Sequence, residues 1–243
     1  MPTLTPPETV HRLSNPLRIS WELLRGRSLL RACFIQSLRR LAPPLSGTVV
    51  DLGSKVKNAH YLDCFRLAPG TEIVATDLHA AAGVVQVDVE KPLPFADASL
   101  DAILSFNLFE HVWGLDTIAG EAFRCLKPGG RVFLEIPFLF EFHADPYDWR
   151  RLSDRAIARW WGEAGFTAEH LEALGDGPIS ALTTRLPAFF LPPLPGLRAT
   201  AAACGYALAL PGDVLLALRP MRGSRRVPLA FAQGFLAVFR KPG

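Results

Sequence analysis

Residues 49–58 of the chain read VVDLGSKVKN. An apolar run ends there in an acid and a glycine, and Asn58 follows, a residue type that often caps helices. This order predicts a buried strand, a glycine loop and then a helix. Gly53 stands at the turn, but Lys55 occupies the position at which a dinucleotide loop needs its second glycine. The stretch therefore indicates either a loop for another cofactor or an ordinary strand-to-helix corner.

Strand-like and helix-like segments alternate from residue 47 to residue 175. Five further strands are predicted: EIVATD (72–77), VVQVDV (84–89), LDAILSF (100–106), RVFLEI (131–136) and FTAEHLEAL (166–174). Three helices are predicted between strands: NAHYLDCFRLAPG (58–70), LDTIAGEAFRCL (115–126) and SDRAIARWWGEAG (153–165). Such alternation builds right-handed βαβ units, so it predicts a parallel sheet with helices on both faces.

The chain has 243 residues, 49% of them hydrophobic, which is enough for one large core. Its four cysteines are scattered, with no CxxC pair and no histidine at zinc spacing. We therefore expect reduced thiols in a cytoplasmic protein, and no metal site is predicted. The first residues, MPTLTPPETV, lack an apolar run behind a basic start, so no signal peptide is expected.

Charge divides the chain into an acidic middle and two basic ends. Residues 1–46 carry seven arginines against two glutamates, and residues 178–226 carry six arginines against Asp213, a net +5 in each segment. Residues 47–177 carry eleven lysines and arginines against twenty acids, a net −9. A domain that grips phosphate backbones would not show this division, so no nucleic-acid partner is expected.

Both basic ends are apolar as well. Residues 1–46 are predicted to be helical, with one apolar face formed by Leu23, Leu30, Phe34, Leu38 and Leu41. Residues 178–226 read as an insertion that proline, glycine and Asp213 interrupt too often for a transmembrane helix. Two interpretations stay open: these segments roof the substrate pocket, or they attach the protein to a membrane face through arginines and aromatic residues.

Three acids mark three successive strand ends. Asp77 closes the second strand, where a carboxylate can accept both ribose hydroxyls, and Asp88 closes the third strand, where an acceptor can meet an adenine amino group. Together with Asp51 they fall at the carboxyl edge of the predicted sheet, where open α/β folds bind ligands. S-adenosylmethionine has no phosphate, so its loop tolerates a side chain at Lys55, which could lie towards the methionine carboxylate.

Several segments together resemble the class I S-adenosylmethionine-dependent methyltransferases, in the small-molecule branch with an LPF…EHV…LKPGG signature. They are VVDLGS, ATD, VDVEKPLPFADASLDAILSFNLFEHV and EAFRCLKPGGRVFLEIP, and the resemblance covers about residues 47–175 and extends to the final strand. It implies an α/β, Rossmann-like, seven-stranded and mostly parallel sheet whose last strand, within residues 227–243, is antiparallel. It implies these cofactor contacts: Asp51, Gly53 and Ser54 at the methionine moiety, Asp77 and Leu78 at ribose and adenine, Asp88 and Val89 at adenine, and Phe106 and Asn107 near the sulfonium.

The loop PFLFEFHADPYDWRRLS (137–153) carries the candidate chemistry, and similar loops cover the acceptor pocket in a subset of these enzymes. His143 is predicted to be a general base for an acceptor hydroxyl, oriented by Asp148 or Asp145. The alternative is that the acids pair with Arg150 and Arg151 to stiffen a lid. His111, predicted to begin the helix after the fourth strand, is a second candidate base.

The sequence thus predicts an enzyme that uses S-adenosylmethionine to methylate a small-molecule or glycan acceptor, with a hydroxyl oxygen preferred. The alternative is a catalytically weak module of the same fold, attached to a membrane or a partner through its basic apolar ends. A nicotinamide-dependent oxidoreductase fits poorly, because the second glycine is missing and no Tyr-x-x-x-Lys pair follows the fourth or fifth strand.

Overall fold

A computed structural model describes residues 8–219 and 227–243 of the chain. One mixed sheet organises them, with strands β1 (Val10–His11), β2 (Thr48–Leu52), β3 (Glu72–Asp77), β4 (Val85–Gln86), β5 (Leu100–Phe106), β6 (Leu126–Pro137), β7 (Thr167–Leu174) and β8 (Gly234–Arg240). The helices are α1 (Pro16–Leu24), α2 (Leu29–Leu41), α3 (Leu115–Cys125), α4 (Asp154–Glu163), α5 (Pro178–Thr183), α6 (Leu186–Phe190), α7 (Pro195–Ala217) and α8 (Val227–Ala230).

The strand order is β1-β7-β8-β6-β5-β2-β3-β4, and β8 runs antiparallel to both of its neighbours, β6 and β7. All other pairs are parallel. This confirms the predicted α/β class, the mostly parallel sheet and the antiparallel last strand. The described sheet has eight strands instead of seven because β1 adds to the edge, pairing Val10 with Glu172. A strand of two residues is too short to show the alternation of apolar and polar residues by which strands are recognised in a sequence.

The order of strands reverses between β2 and β5, which lie side by side although β3 and β4 separate them in the chain. Loops leaving the carboxyl ends of β2 and β5 turn to opposite sides at such a point, and a crevice opens between them. The decisive stretch at residues 49–58 ends at this crevice.

Helices cover both faces of the sheet, as predicted. On one face Trp161 of α4 stacks on Phe239 of β8 with ring centres 5.6 Å apart, and both side chains are buried. On the other face Phe34 of α2 packs on Phe106 of β5 at 4.8 Å. Burying each such aromatic side chain contributes about 1.5–3 kcal/mol to the stability of the fold, so the helices on both faces stabilise the sheet.

The amino-terminal region forms two helices where one was predicted. Asn15 caps α1 and Ser28 caps α2, each through its side-chain oxygen. Gly26 has a φ of +79°, a left-handed conformation that glycine adopts freely, and it separates the helices. Leu30, Phe34 and Leu38 are buried on α2, so the predicted apolar face is real although the helix is interrupted.

Three local predictions are wrong. Residues 58–70 form only a 3-10 turn at His60–Cys64 and no α-helix. Residues 107–114 form a loop, because the backbone N–H groups of Trp113 and Gly114 donate to Glu90 and α3 begins only at Leu115. Glu110 and His111 therefore lie in a loop and not on a helix. Residues 227–230 are helical, and the last strand begins at Gly234.

The carboxyl-terminal apolar segment is less interrupted than predicted, because α7 runs unbroken for 23 residues although Pro211 lies within it. Asp213 of α7 is buried and accepts the backbone N–H groups of Ile179 and Ser180, which caps α5. By length and composition alone α7 could cross a membrane, a test that core helices of soluble proteins also pass. Residues 220–226 of the predicted insertion lie outside the described residues.

Candidate cofactor and acceptor site

A cavity of about 540 Å³ opens at the carboxyl ends of β2, β3 and β5. Four loops border it: the glycine loop after β2, residues 78–90, residues 107–113 and residues 145–149. Six of the nine predicted cofactor residues line it: Gly53, Asp77, Leu78, Asp88, Val89 and Asn107. These residues follow three different strands, and they lie together because the ends of those strands meet at the crevice where the strand order reverses.

The glycine loop is shaped by two residues in left-handed conformations. Gly53 has a φ of +72°, and a Cβ there would lie 2.9 Å from Cδ1 of Leu108. Lys55 has a φ of +59°, and its ammonium pairs with the carboxylate of Asp145, across the mouth of the cavity. Both partners are more than half exposed and line the cavity, so this pair links the glycine loop to the loop at 137–153.

Asp77 and Asp88 have different surroundings. Oδ1 of Asp77 accepts the backbone N–H of His79 at 3.1 Å, whereas Oδ2 accepts no hydrogen bond from residues 8–219 or 227–243. Asp88 pairs with Lys91 at 3.0 Å, and the hydrogen bond from that lysine holds the pKa of Asp88 below its usual range. The carboxylate of Asp77 is therefore the freer acceptor at the cavity.

Asp51, Ser54 and Phe106 lie outside the cavity wall, unlike the predicted arrangement. Both oxygens of Asp51 accept the Tyr61 hydroxyl, at 3.0 and 2.8 Å, and burial raises the pKa of Asp51 to about 7. Phe106 packs against the ring of Tyr61, 4.9 Å away, on the face that α2 covers. The backbone N–H of Ser54 donates to Thr76, and its hydroxyl is buried. Asp51 and Phe106 thus shape the crevice from beneath.

The two predicted histidines meet beside the cavity. His111 lines it, and the ring of His143 packs against that of His111 with centres 5.1 Å apart. Nδ1 of His111 lies 2.6 Å from the carbonyl oxygen of Tyr147, and Nδ1 of His143 lies 3.0 Å from that of Glu141. The loop at 137–153 therefore brings His143 back to residues 107–113.

Asp148 holds this loop more than it orients the histidine ring. It accepts the backbone N–H of His143 at 2.8 Å and forms a two-pronged ion pair with Arg151. The hydrogen bond from Arg151 lowers the pKa of Asp148 to about 2, so the pair stays charged at neutral pH. Asp145 pairs with Lys55 instead of either histidine. The predicted stiffening of the loop by an acid and an arginine is thus what the geometry shows for Asp148 and Arg151.

Sequence reasoning assigned no role to two buried glutamates next to the histidines, although Glu110 belongs to the EHV signature. Glu110 and Glu135 are fully buried, and no oxygen of either accepts a hydrogen bond within the described ranges. Burial, followed by the proximity of Glu110, raises the pKa of Glu135 to about 8. The only sequence signal is an acid inside an apolar run, as in VFLEIP.

Three exposed aromatic side chains also line the cavity and were not predicted. Trp113 and Trp149 lie with ring centres 5.2 Å apart, and Tyr147 lies 5.0 Å from Trp149. The guanidinium of Arg150 lies over Trp113 at 5.3 Å. We call Trp113, Tyr147 and Trp149 the aromatic wall.

Comparison with known proteins assigns the middle of the chain to a family. Residues 52–134 match the family described as a methyltransferase domain. A Mycolicibacterium smegmatis protein named "Probable S-adenosylmethionine-dependent methyltransferase" is 30% identical over 105 residues, which are 39% of this chain and 41% of that protein. The alignment thus spans about two fifths of the length of this curated relative.

Solved structures share the fold. A candidate methyltransferase from Bacillus halodurans superposes with a TM-score of 0.53 and 19% identity, over 86% of this chain and 99% of the other. A Haloferax volcanii candidate methyltransferase, solved in complex with the Trm112 methyltransferase activator, gives a TM-score of 0.52 and 17% identity, over 96% and 100%. At these identities the likeness concerns the fold alone.

S-adenosylmethionine, the cofactor of this family, fits the residues at the cavity. The free oxygen of Asp77 can accept hydrogen bonds from ribose hydroxyls, and Val89 and Leu78 offer apolar contact for adenine. Because Gly53 has no side chain, the glycine loop can pack close to Leu108 at the edge of the cavity. The matched domain, the order of the strands with an antiparallel last strand and the position of this cavity all indicate a methyltransferase. Residues 52–134 therefore carry the sequence of a methyltransferase domain, on a fold that solved methyltransferase structures share.

Proposed function

We propose that the protein transfers the methyl group of S-adenosylmethionine to a hydroxyl oxygen of a small-molecule or glycan acceptor. The observation that carries this proposal is one cavity with two chemically different sides. Asp77 presents a free carboxylate oxygen on one side, and His111 borders the other side with His143 behind it. A donor and an acceptor can therefore meet in the same space.

One set of residues would bind and orient the cofactor, and another set would remove the proton from the acceptor hydroxyl. The cofactor supplies a methyl group on a sulfonium, which is already a good leaving group. Asp77, Asp88 and Asn107 hold and orient it, and alignment of donor and acceptor can supply about 7–11 kcal/mol of barrier reduction. The cluster of Glu110, His111 and His143 receives the hydroxyl proton, an effect worth about 10²–10⁴-fold. Positioning is the larger contribution.

The aromatic wall supports a ring-shaped acceptor such as a sugar. Trp113, Tyr147 and Trp149 are between 46% and 66% exposed although they line the cavity, so part of each side chain stays open to a ligand. Covering large aromatic faces is favourable, and the hydroxyl and indole groups keep polar contacts at the edges. This arrangement suits a glycan better than a long apolar chain.

The test uses cofactor carrying a radiolabelled methyl group, incubated with the full chain and with pools of sugars, nucleotide sugars, lipid-linked glycans and small phenols. We expect label to move into a hydroxyl-bearing pool and S-adenosylhomocysteine to form in equal amount. Transfer into amine-bearing compounds alone would contradict the hydroxyl preference, and cofactor binding without transfer into any pool would favour the binding module.

A second proposal concerns where the protein works: we place it in the cytoplasm, on the face of an anionic membrane. The outward side of α7 carries apolar residues at intervals of three, four or seven positions, with exposed Leu194, Leu197, Cys204, Leu208, Pro211, Leu215 and Leu218. On α1, which packs against α7, Leu17, Trp21 and Leu24 are exposed at the same spacing. We call these residues the apolar stripe.

Charge around the apolar stripe favours anionic lipid as its occupant. Arg18, Arg25 and Arg219 are exposed next to it, whereas Glu22 and Asp213 are buried. An interfacial helix needs this combination of an apolar face and flanking cations. The four cysteines are free thiols, as expected of a protein kept in a reducing compartment.

Vesicle sedimentation tests the membrane proposal. The full chain is expected to pellet with vesicles containing phosphatidylglycerol and to stay in solution with phosphatidylcholine alone. Replacing both Leu208 and Leu215 by glutamate should weaken partitioning at least about tenfold, since each buried leucine contributes about 1.5–3 kcal/mol. Leu67→Glu is the matched control, because Leu67 is 48% exposed and lies outside the stripe. No pelleting at physiological salt would leave α7 as a roof of the domain.

A further inference from the structure

Three side chains converge beside the cavity with their electron pairs facing one another. Oε1 of Glu110 lies 3.6 Å from Nε2 of His111 and 3.5 Å from Nε2 of His143. One ligand atom from each residue lies within 4.8 Å of the other two. Glu110 is fully buried, and neither of its oxygens accepts a hydrogen bond from the described residues.

The hydrogen bonds at the far side of each ring fix the tautomers. Nδ1 of His111 faces the carbonyl of Tyr147, and Nδ1 of His143 faces the carbonyl of Glu141. A carbonyl oxygen only accepts, so both Nδ1 atoms carry the hydrogen. In the neutral rings both Nε2 atoms are then unprotonated. In these neutral forms the cluster presents three electron-pair donors, with Nε2 of each ring facing Oε1 of Glu110.

Such a cluster is stable when a cation occupies its centre. We propose that Glu110, His111 and His143 bind a divalent transition-metal ion of the Zn²⁺ type. Zinc binds imidazole nitrogen at about 2.0–2.1 Å, and two tetrahedral ligands at that range lie about 3.4 Å apart, close to the separations between Glu110 and the two rings. Mg²⁺ prefers oxygen ligands and is the poorer match for a site with two imidazoles.

The surroundings are those that hold metal ligands in place. Metal-binding histidines usually donate their second ring N–H to a carbonyl or carboxylate, as both histidines do here. Asp148 and Arg151 fix the backbone next to His143 through the hydrogen bond from the His143 N–H. Phe140 packs on the same ring at 5.1 Å and excludes water from one side. The loop is thus built to keep His143 facing Glu110.

Three protein ligands leave at least one position open on a tetrahedral ion. Because His111 also lines the cavity, that position borders the acceptor side of the site. A cation there would bind the acceptor oxygen and lower its pKa, and this would replace direct proton transfer to the histidines, whose Nε2 atoms would hold the ion. This role rests on the proposed methyl transfer, whereas metal binding itself does not. The sequence analysis predicted no metal site, because these ligands are an adjacent pair and a distant histidine.

The experiment uses the tag-free full chain, stripped with a chelator and dialysed against ZnCl₂, with bound zinc measured by mass spectrometry and affinity by calorimetry. We expect one zinc ion per chain. Glu110→Gln and His143→Ala should each weaken zinc binding more than about 100-fold, because each removes a ligand. His60→Ala is the matched control, since His60 lies outside the cluster, and should bind zinc as the unchanged protein does. MgCl₂ at equal concentration should not displace zinc.

The proposal fails if the unchanged protein binds no zinc, or if Glu110→Gln binds it as tightly as the unchanged protein. Circular dichroism checks that each variant is folded, and Glu110→Gln keeps the shape of the side chain should His143→Ala not fold. Titration with S-adenosylhomocysteine on the same samples separates the two proposals. Cofactor binding without zinc overturns the metal site alone, and zinc binding without cofactor overturns the proposed methyl transfer alone.

Discussion

Asp77→Asn is expected to weaken the binding of S-adenosylmethionine by about 100-fold. The free oxygen of Asp77 faces the cavity at the end of β3, and an ionised acceptor contributes about 1.5–3 kcal/mol per hydrogen bond. Asparagine keeps the volume and the contact to the His79 N–H but loses the charge. A loss of about 2.7 kcal/mol corresponds to two tenfold steps in the dissociation constant. Isothermal calorimetry of both proteins measures it.

Asp116→Asn is the matched control, because Asp116 is exposed on the first turn of α3 and does not line the cavity. Its dissociation constant should equal that of the unchanged protein. If Asp77→Asn binds the cofactor within about threefold of the unchanged protein, the carboxyl edge of β3 does not hold the ribose.

His143→Ala is expected to lower the turnover number by about 10²–10⁴-fold and to leave cofactor affinity unchanged. His143 completes the cluster beside the cavity, but it is absent from the residues that line the cavity. Removing it should therefore affect proton removal and not binding. Radiolabel transfer under saturating cofactor gives the turnover number, and calorimetry gives the affinity.

The split between turnover and affinity separates a chemical role of His143 from a structural one. A variant that merely loosened the loop at 137–153 would also weaken cofactor binding, because Asp145 of that loop pairs with Lys55 of the glycine loop. His60→Ala should change neither quantity. Equal losses of turnover and cofactor affinity in His143→Ala would assign this residue to the loop's structure alone.

Local patterns were sufficient for the framework of the fold. Strand-length apolar runs specified most of the strands from β2 to β8, but β4 has only two of the six residues predicted for it, and the helix predicted between β2 and β3 is a 3-10 turn. Asp77 and Asp88 were predictable because carboxyl ends of parallel strands share one edge. The strand β1 was not predictable, since its pairing with β7 depends on the final position of the amino-terminal segment.

The site itself depends on contacts that no local pattern contains. Strands of a parallel sheet are apolar on both faces, so the sequence does not show that Asp51 turns towards Tyr61 instead of the cavity. Lys55 and Asp145 meet across 90 positions of the chain. Glu110 and His143 likewise meet only because an ion pair between Asp148 and Arg151 folds the second loop back. Such pairings follow from tertiary structure.

Calorimetric titration of the purified full chain with S-adenosylmethionine tests the central claim most directly. We expect one binding site per chain, with a matching rise in melting temperature, because the cavity at the ends of β2, β3 and β5 is already formed. No heat and no thermal shift at millimolar cofactor would contradict cofactor binding at this cavity. The Lys55–Asp145 ion pair would then close a cavity that does not bind the cofactor.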